Sequence, residues 1–73
     1  MKHIKIIAKI LDEKEKKLKP NCNLNNFIWD SMAKINLINF INEKYNKNIN
    51  IKKIKSIKTV KELDELINFT IKK

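Results

Sequence analysis

Apolar residues in the first eleven positions recur at helical rather than strand spacing. At about 100° per residue, Ile4, Ile7, Ala8 and Leu11 fall on one narrow stripe, and Ile6 and Ile10 widen it. Lys2, Lys5, Lys9, Asp12 and Lys16 take the opposite side. The pattern predicts a first amphipathic helix that fades into a solvated run over 12–19. From Leu18 to Trp29 the period is lost, and Pro20, Asn21, Asn23, Asn25 and Asn26 are turn and cap formers. Leu24, Phe27 and Ile28 give this long loop enough apolar character to pack down onto the rest of the chain.

Helical spacing returns at Asp30-Ser31 and runs to Tyr45 or Asn46. The expected inner side of this second helix is Leu37, Ile38, Ile41 and Tyr45, with Ile35 and Phe40 at the margins. Asn46 to Asn50 end it. Ile51, Ile54 and Ile57 repeat every third residue over a stretch that suits one short helix. A last helix opens at Thr59, because Glu62 three positions on completes a capping box. Val60, Leu63, Leu66, Ile67 and Thr70 form its inner face. No run of strict alternation suggests a strand. The expectation is an all-α chain: a small four-helix bundle with a long loop between helices 1 and 2 and a short third helix, residues 1–73 forming one domain.

Length limits the chemistry. A chain of 73 residues buries only about 60% of the surface its unfolded form exposes, which leaves little room for a catalytic pocket. An enzyme is disfavoured. A single cysteine cannot pair within the chain and fits a reducing, cytoplasmic setting. Lys5 and Lys9 interrupt the first apolar stretch and no small-residue cleavage site follows, so no signal peptide is expected. No stretch approaches the ~18 apolar residues of a membrane span.

The net charge is +9, and all 17 basic residues are lysine. A charge of this size raises nucleic acid as a partner. Lysine lacks the planar fork that grips phosphate and guanine bidentately, so a lysine-, asparagine- and isoleucine-rich composition bias explains the charge better. No Cys/His cluster suits zinc, no glycine is present to cradle phosphate, and no hydrolytic triad can be assembled, so no catalytic or metal residue is assigned.

The segment Trp29-Asp30-Ser31-Met32, followed by Ile35, Leu37, Ile38, Ile41 and Glu43-Lys44-Tyr45, resembles the acyl carrier protein family. So does the later run Ile54, Ile57, Thr59-Val60 and Leu63 to Ile67. The family's hallmark is Asp-Ser-Leu at the start of the second helix, with an Ile-x-Thr-Val-x-x-Leu entry to the last. The likeness covers the second half in detail and the whole chain in architecture.

The resemblance implies that Ser31 carries a covalent 4'-phosphopantetheine arm taken from coenzyme A, and that the bundle is of the acyl carrier type. It implies a phosphopantetheinyl transferase and acyl- or aminoacyl-loading and transferring enzymes as partners, and a monomer. The first turn of a helix suits the role, since its free N–H groups and positive dipole end favour a phosphodiester. Asp30 is positioned to cap the helix, and by resemblance also engages the modifying enzyme and its metal. Met32 stands where leucine is usual and remains an apolar contact.

The chain departs from the family in charge. The family's second helix is acidic, whereas here Lys34, Asn36, Asn39, Asn42 and Glu43 face outward and leave one carboxylate. Asp30, Met32, Lys34, Ile35, Asn36 and Glu43 are the expected partner-recognition residues. Cys22 is expected to be a packed or surface thiol and His3 an exposed side chain; Trp29 either anchors the loop or meets cargo or partner. The alternative function is a small basic helical module binding nucleic acid or an acidic protein through Lys52, Lys53, Lys55, Lys58 and Lys61. A carrier-like scaffold that has lost modification is a third, opposed by the intact Asp30-Ser31 pair.

Overall fold

Capping chemistry decides where each helix begins and ends. The structure, a computed structural model, describes residues 1–72. Its helices are α1 (Ile4–Leu11), α2 (Ser31–Tyr45), α3 (Ile51–Ser56) and α4 (Val60–Lys72), with one-turn 3-10 helices at Glu15–Lys17 and Leu24–Asn26. The fold is a small all-α four-helix bundle, without strands among the described residues.

The first helix does not fade out; it stops. Asp12 adopts the left-handed conformation (φ 53°, ψ 49°). That turn lets the Asp12 N–H reach the Lys9 carbonyl at 3.3 Å and the Glu13 N–H the Ala8 carbonyl at 2.9 Å. This paired arrangement satisfies carbonyls that a helix end otherwise leaves open. Asn46 closes α2 from the same region of backbone (φ 55°). In a chain without glycine, the short polar side chains of Asp and Asn supply these turns.

The capping box of α4 forms as expected. The Thr59 N–H donates to Glu62 Oε1 at 3.0 Å and the Glu62 N–H donates to Thr59 Oγ1 at 3.2 Å. The Lys58 N–H and the Thr59 hydroxyl also donate to Glu62 Oε1, and the three bonds to this carboxylate hold Glu62 below the ordinary glutamate pKa. The long loop completes this helix end. Pro20 and Cys22 carbonyls accept from the Lys61 and Val60 N–H groups, and the Leu24 N–H donates to the Lys58 carbonyl. The result is a single antiparallel bridge, Asn23 with Thr59.

The core draws on all four α-helices and on the turn at Leu24–Asn26. Ile7, Leu11, Leu24, Leu37, Ile41, Ile54, Val60, Leu63 and Ile67 are fully buried. The expected inner face of α4 is buried throughout, with Asp64 added to it. On α2 the buried stripe is Ala33, Leu37 and Ile41, at strict i, i+4, i+8 spacing. Ile38 and Tyr45 are only half-buried, because the stripe runs along the Ala33 side rather than the Tyr45 side. Phe40 stays at the margin, with Lys9 and Lys44 ammonium groups 5.3 and 5.5 Å from its ring centre.

Three expectations are corrected here. Ile28 is 67% exposed rather than packed down, since Leu24, Phe27 and Trp29 take up the loop's inward positions. Leu18, expected in the solvated run over 12–19, is buried, and so is Ile49, for which no burial was expected either way. His3 is not a free solvated side chain. The His3 backbone N–H donates to Asp64 Oδ1 at 2.8 Å and the ring Nε2 lies 3.1 Å from Asn68 Oδ1, clipping the start of α1 to α4.

Candidate functional site

Asp30 sets the start of α2. Its backbone is extended, and its Oδ1 accepts from the Ala33 N–H at 2.9 Å. Ser31 is therefore the first helical residue, and it is exposed. Its hydroxyl has no hydrogen-bond partner among the described residues, and neither do the Ser31 and Met32 N–H groups. At α4 the corresponding N–H groups of Val60 and Lys61 are occupied by the loop. Of the two long helices that follow the loop, one has a sealed N-terminus and the other an open one. The open one carries the serine.

The loop packs against the core just before this helix end. Trp29 is half-buried against the core, and the Lys34 ammonium lies 5.7 Å from its ring centre. Lys34 is thus drawn back along the Trp29 face and is half-buried rather than fully outward. Met32 and Ile35 are 63% and 50% exposed, and Asn36 is exposed as expected. Glu43 is exposed too, but it lies just over three turns down α2 from Ser31, about 18 Å along the axis. There it shares a shallow hollow with Lys9, Asn39 and Phe40. Ser31, Lys34 and Ile35 border α3, whereas Asp30, Met32 and Asn36 border the end of α1, and Asn36 also lines the hollow that holds Glu43.

A groove of about 220 Å³ runs beside Ser31 between α2 and α3. Ile35 and Ile38 line it from α2, Ile51 and Ile54 from α3, and Lys34 and Lys55 bring its charge. Ile51 is 55% exposed at its edge. Ile38, Ile51, Ile54 and Lys55 were not expected at the serine. The three-residue repeat of Ile51 and Ile54 signalled a packed turn, but nothing in it says that the turn lies alongside α2.

Cys22 is half-buried, its Sγ 3.9 Å from the Lys17 carbonyl. Among the described residues no group of three or more His, Cys, Asp or Glu side chains could hold a metal ion. No described helix is long and apolar enough to cross a membrane. Lys52, Lys53, Lys55, Lys58 and Lys61 are all exposed.

No protein-family model matches the chain, and no curated protein matches it.

Proposed function

We propose that this chain is a carrier protein that holds acyl or aminoacyl groups as thioesters on a 4'-phosphopantetheine arm attached to Ser31. The observation that carries the reading is the open N-terminus of α2. There an exposed, unpartnered hydroxyl sits between a capping aspartate and two free backbone N–H groups. The Asp30-Ser31-Met32 signature and its spacing to Thr59-Val60 give that geometry its meaning.

The residues present fit the group. When attached, the arm supplies a thiol that bears cargo as a thioester. Ser31 offers its oxygen to an incoming enzyme without obstruction and needs no base of its own, because the transferase supplies one. The Ser31 and Met32 N–H groups and the helix dipole favour negative charge at that oxygen. The isoleucine groove beside it offers apolar shelter to whatever lies along α2 and α3. The test is intact-mass measurement after incubation with coenzyme A and a broad-specificity phosphopantetheinyl transferase, with Ser31→Ala as control.

The exposed lysines of α3 and the start of α4 favour a second reading, a basic module that binds nucleic acid. A phosphate binder loses affinity linearly on a log–log plot against salt. A carrier shows no appreciable duplex affinity near physiological salt.

A further inference from the structure

The carboxylates of this protein are unevenly committed. Asp30 is bound to the Ala33 N–H, Glu62 to those of Lys58 and Thr59, and Asp64 to that of His3. Glu13 pairs with Lys17 at 3.8 Å. Helix α3, by contrast, holds three lysines in six residues and no acid. The groove beside Ser31 is lined by two lysines and four isoleucines, and by no carboxylate. Its apolar edges are open, with Ile35 and Ile51 half-exposed.

We propose that this groove docks a protein partner whose surface presents an apolar side chain ringed by carboxylates. The proposal rests on the carrier reading, since Ser31 on the groove wall is what makes docking here productive. An apolar centre with a charged rim is the anatomy of a protein–protein contact, in which the centre supplies most of the affinity and the rim supplies steering and register. The lysines set the sign of the partner's rim. A nucleic-acid backbone would leave the half-exposed Ile35 and Ile51 without a counterpart. A lipid surface calls for protruding apolar side chains, whereas this site is concave and accepts one.

Amide chemical shifts of the uniformly 15N-labelled full chain test this. The probe is a helical peptide of about 15 residues with a central leucine pair flanked by glutamates, and its twin has lysines in their place. The glutamate peptide is expected to shift the amides of Ser31, Ile35, Ile51 and Lys55, more weakly as salt rises, while the twin leaves them unmoved. Lys34→Glu/Lys55→Glu, which reverses the two lysines that line the groove, should weaken the glutamate peptide roughly tenfold. Lys5→Glu/Lys16→Glu, the same charge change outside the groove, should weaken it less than about twofold.

Equal weakening by both pairs, shifts spread over all lysine-bearing segments, or equal binding of the twin would overturn the proposal. So would tighter binding to phosphatidylserine vesicles or duplex DNA than to the glutamate peptide at the same salt. Coenzyme A-dependent mass gain on the same sample keeps the two ideas apart. Gain without docking removes only the docking surface, and docking without gain removes only the carrier reading.

Discussion

Asp30 holds α2 in place with one carboxylate oxygen while standing next to Ser31, the proposed attachment site. The two roles separate by substitution. Asp30→Ala removes the cap and should cost about 1 kcal/mol in urea unfolding. Asp30→Asn keeps an oxygen for the Ala33 N–H and should stay within a few tenths of wild type. If the acid also engages the transferase, Asp30→Asn should still slow coenzyme A-dependent modification. Wild-type rates for that variant would reduce Asp30 to its cap.

Glu62 gives a pH signature at the same scale. The Lys58 and Thr59 N–H groups bind its charged form and lower its folded pKa, so its contribution is present above the unfolded value of about 4.3. That contribution is lost as pH falls through the lower folded value. Glu62→Gln should therefore flatten the acid limb of the stability–pH curve. An unchanged limb would mean that the cap bonds do not depend on the charge.

At the scale of elements, α4 is the best-specified part of the molecule. Leu63 is fully buried and Leu66 nearly so, and alanine at Leu63 should cost about 2–5 kcal/mol by leaving a cavity. A Leu63→Ala chain as stable as wild type would contradict this core face. The helix was legible because a capping box and a 3.6-residue period agree in it. On α2 the extent was legible and the rotation was not. Ala33 is too small to stand out in a hydrophobic pattern, yet it sets which stripe lies innermost. Leu18 and Ile49 gave no signal because a lone apolar residue in a polar stretch has no period. Asp64 and His3 were missed for a related reason, since a pairing across 61 residues of chain leaves no local trace.

At the scale of the whole molecule, charge separates this chain from the family it resembles. Positive charge crowds even at the ends, where hydrogen bonding and repulsion from Lys2 push the Lys72 amine below its ordinary pKa. Enzymes built around an acidic second helix should find this one a poor substrate. Lys34 covers Trp29, so adding acid at exposed Asn36 and Asn39 is the cleaner change. Asn36→Glu/Asn39→Glu should speed modification by a generic transferase at low salt. The gain should shrink as salt shortens the screening length to about 10 Å at 0.1 M. Equal rates at low salt would move the recognition determinants to Phe27 and Trp29 in the loop.

The carrier reading meets its most direct test in the mass of the intact protein after incubation with coenzyme A and a broad-specificity phosphopantetheinyl transferase. The account predicts the gain of one phosphopantetheinyl group, located to Ser31 by fragmentation. Ser31→Ala, with an unchanged helical circular dichroism spectrum, should gain nothing. A folded wild-type chain that gains no mass, or gains it equally in Ser31→Ala, would contradict it.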